Sequence, residues 1–193
     1  MKLTHKKTKG FTLVEILVVI AIIAVLATLA TPALLSALKK AKVTKAAGIC
    51  SSFETAVINF ENEYNYLPYG GGGNAPTEDS DPPLRSDDDV VAVLAGAEED
   101  LNFKKIKFFE LGEPKGSNSS NYKDGLIITG TTAALYDPWG ETYYIIIDYD
   151  LDGEIENPFD DTKTISKKAA IYSLGPDMKE GTAALDKDNA TNF

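Results

Sequence analysis

The chain has 193 residues and a formal net charge of −10, with 44% apolar residues, a single cysteine and a single histidine. That length leaves room for one modest domain beside any membrane span, and the acidic balance argues against nucleic acid as a partner while favouring solubility or cation binding. Cys50 has no second cysteine to pair with and His5 stands among the first ten residues, so the rest of the chain lacks an internal disulfide, a histidine catalyst and the commonest zinc ligand.

The chain begins with a basic segment, Met1 to Lys9, carrying Lys2, Lys6, Lys7 and Lys9 and no acidic residue. Gly10-Phe11-Thr12-Leu13-Val14-Glu15 follows, then Ile16 to Ala30, apolar apart from Thr28, then Pro32. The run from Phe11 to Ala30 suits the roughly 20 residues that cross a hydrocarbon core of about 30 Å. It exceeds the core of about 7–15 residues of a secretory signal peptide. The lysines ahead of it place the N-terminus in the cytoplasm and the bulk of the chain outside. Glu15 lies inside this span, where a charge costs roughly 2.5–3.5 kcal/mol on insertion scales, and so requires a partner. A cut between Gly10 and Phe11 supplies one: the new amine on Phe11 of a staggered neighbouring subunit can meet Glu15, which becomes a docking group for polymerisation.

These residues resemble the class III signal of type IV pilins and type II secretion pseudopilins. The resemblance implies that a prepilin peptidase cuts after Gly10 and N-methylates Phe11, and that Glu15 serves assembly. Loss of the leader lysines takes the formal charge from −10 to −14 and leaves Lys39, Lys40, Lys42 and Lys45 as a basic collar beyond the span. Many pilins carry a disulfide near the C-terminus; this chain departs from them, and Cys50, on an apolar helical face, reads as a small core residue.

Beyond Pro32 the pattern stays helical. Ile49, Phe53, Val57, Phe60, Tyr64 and Leu67 recur at steps of four and three, one apolar stripe on an otherwise polar helix. Pro32 removes one backbone donor and is expected to kink or locally open the helix rather than end it. The helix is predicted from Phe11 to about Tyr66, with Leu67-Pro68 and Gly70 to Gly73 as its stop. The expected organisation is a leader at 1–10, a membrane or filament-core helix at 11–31, an amphipathic continuation at 32–67 and a globular head at 68–193.

Within the head, Gly70 to Asp89 reads as a long surface loop. A short helix is predicted from Asp88 or Asp89 through Ala97. Phe103 to Leu111 reads as a strand or irregular edge, and Gly112 to Asp124 as a turn-rich loop. Three strands are predicted, at Gly125 to Thr131, Tyr143 to Tyr149 and Ala169 to Ser173, each bounded by Gly, Pro or Asp. Asp137-Pro138-Trp139-Gly140 resembles a turn of the type II major pseudopilin, and Ser173-Leu174-Gly175-Pro176-Asp177 resembles that family's Ser-x-Gly-x-Asp segment. Both favour the secretion branch.

Asp148-Tyr149-Asp150-Leu151-Asp152-Gly153-Glu154-Ile155 places carboxylates at alternate positions ahead of a glycine, the pattern that wraps a hard cation in oxygen ligands. It resembles the first half of an EF-hand loop. Phe159 stands where that loop needs its bidentate Glu, with Asp160 or Asp161 as the substitute. Asp148, Asp150, Asp152 and Asp160 are the expected calcium ligands; the alternative is a solvated, Asp-rich hairpin tip. The resemblance to major pseudopilins implies a second calcium loop from Asp177, Asp186 and Asp188. There Asn189-Ala190 and Phe193 depart from the family's terminus, and the same residues also read as a disordered polar tail.

No nucleophile motif is present, and Gly70 to Gly73 lacks the Lys-Ser/Thr of a phosphate loop, so no enzymatic activity is expected. The expected fold is α+β and pilin-like: one long N-terminal helix packed on a small antiparallel sheet. The expected function, implied by the resemblance, is a structural subunit of a type II secretion pseudopilus. Its partners would be other pseudopilins in a homopolymer, the prepilin peptidase, an inner-membrane assembly platform and the membrane itself before assembly. The alternatives are a type IV pilin for adhesion, motility or DNA uptake, and a membrane-anchored, calcium-dependent binding domain that never polymerises. The expected location is the inner membrane, single-pass, with a periplasmic head.

Overall fold

A computed structural model describes residues 10–70, 74–179 and 188–193. The chain divides into two compact units, Met1–Ala41 and Lys42–Phe193. One helix, α1 (Leu13–Tyr64), contributes residues to both units and contains Pro32. In the first unit its apolar side chains, from Leu13 to Leu38, are exposed. It is long and apolar enough to cross a membrane.

In the second unit the stripe read from the sequence is buried: Ile49, Phe53, Val57, Phe60, Tyr64 and Leu67, joined by Ala46, Cys50 and Ala56. The helix stops at Tyr64, ahead of the predicted proline and glycines, because Asn65 takes a left-handed conformation at φ 61° and its amide donates to Glu61 O at 2.7 Å. Asn is one of the few residues that adopts this cap conformation at low cost.

Among the described residues the unit has eight short strands: β1 (Leu84–Arg85), β2 (Gly125–Thr129), β3 (Thr132–Tyr136), β4 (Tyr144–Ile147), β5 (Ile155–Glu156), β6 (Thr164–Ile165), β7 (Ala169–Ser173) and β8 (Ala190–Thr191). The main sheet has the order β1-β4-β7-β8, antiparallel throughout, with Ile145 opposite Ile171 and Ile147 opposite Ala169. β4 and β7 show no apolar–polar alternation because both of their faces are covered. Ile145, Ile147, Ala169 and Ile171 join the core that contains the α1 stripe, while Ile146, Ala170 and Tyr172 pack with Ile155, Ile165 and Phe159.

The short helix α2 (Asp89–Leu94) buries Val90 to Leu94. Its last carbonyl, on Leu94, accepts from the amides of Phe108 and Phe109 at 2.9 and 3.1 Å. The Lys-rich segment before Leu111 is therefore an irregular strap that satisfies a helix end, the second of the two forms expected for it. β2 and β3 form a hairpin that the sequence reading cut short at Thr131; the chain turns at Gly130, φ 62°, and Leu126 faces Leu135.

The C-terminus is anchored. Thr191 and Ala190 pair with Tyr172 and Ser173. The Asn192 side-chain amide donates to Glu54 Oε2 on α1 at 2.8 Å and to Ala169 O at 2.9 Å, while its Oδ1 accepts from the Ile171 amide at 2.8 Å. For residues 188–193 the reading as a disordered tail is thus replaced by an edge strand, held by side-chain bonds that a residue pattern does not display.

Candidate assembly segment and cation cluster

Thr12 immediately precedes α1, and its hydroxyl accepts from the Glu15 amide at 3.2 Å. In return Glu15 Oε2 accepts from the Thr12 amide and the Thr12 hydroxyl, both at 2.8 Å. This is a capping box, spelled Thr-x-x-Glu, and the sequence reading missed it while reading Glu15 for assembly. The carboxylate sits in the first turn, where the helix dipole favours negative charge. Both bonds fall on Oε2; neither uses Oε1. Phe11 is 79% exposed, and a cut after Gly10 would place a free amine one residue ahead of the cap.

The acidic loop starts where β4 ends. Asp148 is fully buried; its amide donates to Lys168 O at 3.1 Å and its Oδ2 accepts from the Gly153 amide at 3.2 Å. Its Oδ1 has no hydrogen-bond partner among the described residues. Leu151 at φ 61° and Gly153 at φ 84° turn the chain back. Asp150 and Asp152 each accept an amide two residues on, from Asp152 at 3.1 Å and from Glu154 at 2.7 Å.

The third participant comes from the loop before β1. Asp79 Oδ1 accepts from the Tyr149 amide at 3.1 Å, and carboxylate oxygens of Asp79, Asp148 and Asp150 lie within 4.8 Å of one another. Burial pushes the Asp148 carboxyl up from its ordinary value. Asp79 is raised first by burial, then by the charges of Asp150, Asp148 and Asp152.

Of the four residues expected in this loop, the fold brings Asp148 and Asp150 together and adds Asp79. Asp152 stands outside the group of three. Asp160 sits in a separate turn, where its Oδ2 pairs with Lys163 Nζ at 2.5 Å and its Oδ1 accepts from the Thr162 hydroxyl at 2.6 Å; Lys163 and Thr162 hold its carboxyl down at about 2. The sequence places Asp79 in a surface loop. Only the pairing of neighbouring β1 with β4 brings that loop to the turn, and spacing along the chain carries no trace of it. In the expected second loop, Asp177 is exposed and accepts from the Lys179 amide at 3.1 Å. Asp188 is half-buried, and Asp186 lies outside the described residues.

The two short motifs of the head meet. Asp137 is fully buried; its Oδ1 accepts from the amides of Trp139, Gly140 and Glu141 at 2.8, 2.7 and 3.0 Å. Its Oδ2 accepts from the Ser173 hydroxyl at 2.6 Å. Two residues on, Gly175 at φ 70° passes so close to Asp188 that a Cβ would stand 2.3 Å from the Asp188 carbonyl oxygen, which leaves glycine as the residue that fits.

The prokaryotic N-terminal methylation motif matches residues 5–31. No curated protein and no solved structure matches the chain. The chain is similar to proteins with that motif over this N-terminal segment, and its one long helix packed on antiparallel sheets is an α+β arrangement consistent with a pilin-like fold.

Proposed function

We propose that the chain is a pseudopilin, a structural subunit of a type II secretion pseudopilus. The peptidase cuts between Gly10 and Phe11 and methylates the new amine; the subunit waits in the inner membrane, head in the periplasm, and polymerises through its N-terminal helix. The observation that carries this reading is the apolar stretch of α1, exposed along its length in the single chain and headed by one carboxylate. Exchanging lipid for neighbouring helices yields little hydrophobic gain, so a single ion pair between Glu15 and a neighbour's Phe11 amine weighs heavily in setting register. The bond from Ser173 to Asp137 supports the secretion branch, because it joins the two motifs that resemble the major pseudopilin.

Two experiments test the reading. Glu15→Ala is expected to be processed and inserted but not polymerised; normal filaments from it would contradict the docking role. Deletion of the gene is expected to leave cargo proteins in the periplasm. Loss of attachment, twitching or DNA uptake with normal secretion would assign the chain to a type IV pilus instead.

A further inference from the structure

We propose that Asp79, Asp148 and Asp150 together hold one hard divalent cation of calcium size, which clamps the loop ahead of β1 onto the turn after β4. This inference goes beyond the filament reading and does not depend on it.

Calcium takes oxygen ligands at about 2.3–2.6 Å, so two oxygens on one ion lie no more than about 5 Å apart. The three carboxylates meet that limit, with oxygens within 4.8 Å of one another. Asp148 adds an independent observation: it is fully buried and its Oδ1 has no hydrogen-bond partner among the described residues. A buried carboxylate oxygen without a donor is costly in the folded state unless a cation supplies the missing interaction. No cation among the described residues fills that place. The charge of Lys168 reaches Asp148, but its ammonium is already paired with Glu61 at 3.1 Å.

An ion can enter. Asp150 is exposed, and a cavity of about 510 Å³ opens beside Asp79, lined also by Glu78, Asp81, Glu156 and Asp161, whose charges concentrate cations there. Calcium is favoured over magnesium because magnesium sheds water reluctantly, and the buried Asp148 can be reached only by a partly dehydrated ion.

The bound ion would tighten a seam that hydrogen bonds have begun. The Tyr149 amide is held by Asp79, its hydroxyl donates to Pro68 O at 2.9 Å, and Ser80 Oγ accepts from the Ile147 amide at 3.3 Å. In a head whose one cysteine cannot form an internal disulfide, a cation joining distant segments supplies a cross-link.

The test uses the full chain in detergent micelles, with calorimetric titration of CaCl₂ and of MgCl₂ and thermal unfolding followed by Trp139 fluorescence in calcium or in EGTA. Calcium is expected to bind and to raise the midpoint, and magnesium to do so more weakly. Asp79→Asn and Asp148→Asn should each weaken calcium binding about tenfold or more, while Asp160→Asn and Asp177→Asn bind as the parent does. Asp148→Asn should melt no lower than the parent in EGTA, since it removes a buried charge. Asp79→Asn, in a half-buried surface loop, decides the matter if the buried amide is poorly tolerated. The proposal is overturned if the midpoint ignores both calcium and EGTA, or if magnesium matches calcium. It also fails if Asp79→Asn binds as the parent does, or if either control variant loses the ion.

Discussion

The Ser173 hydroxyl donates to Asp137 Oδ2 at 2.6 Å with both residues fully buried. This one contact joins the end of the central strand β7 to the turn that follows β3, and the other oxygen of Asp137 organises three consecutive amides of that turn. A hydrogen bond to a charged group is worth about 1.5–3 kcal/mol.

Ser173→Ala is therefore expected to destabilise the head by about 1–3 kcal/mol. Asp137→Ala should cost more, since it also strips the acceptor from the amides of Trp139, Gly140 and Glu141. Urea unfolding of the full chain in detergent measures both, with Trp139 as the reporter at the site itself. Parental midpoints in both variants would remove the contact from the account of stability.

A second prediction concerns acid. Asp124 pairs with Lys45 of α1 at 2.5 Å and with Lys115 at 3.0 Å, and its side chain is only 9% exposed. Burial works to raise its carboxyl, but the two lysines outweigh burial and hold it below its ordinary value. A folded value depressed below the unfolded one, about 3.9, adds stability that is fully present above that pH and is lost as pH falls through the folded value. The parent should lose thermal stability below about pH 4. Asp124→Asn should melt lower at neutral pH and show a shallower acid decline; identical slopes for the two proteins would refute the ion pair's role.

Much of this architecture was legible in residue patterns. The stripe from Ile49 to Leu67 was legible because a helix with one buried face must repeat at three and four, and β7 because its ends are punctuated. β3 was passed over although Gly130 and the alternation of Ala133 with Leu135 announce a hairpin. The end of α1 was misplaced because a proline and a glycine run outshone Asn65. Asp79 and Asn192 were not legible as partners of Tyr149 and Glu54. Their roles arise from strand pairing across distant segments, and no local spacing encodes which loop an edge strand will carry to which turn. The capping box of Thr12 and Glu15 was in plain view, eclipsed by the other role that the same carboxylate suggests.

Assembly through Glu15 requires an N-terminus made by proteolysis, and mass spectrometry of the mature chain purified from cells reads that terminus directly. The predicted result is a chain that begins at Phe11 with one methyl group on its amine. A mature chain that still begins at Met1, or that starts beyond Ala30, would contradict it.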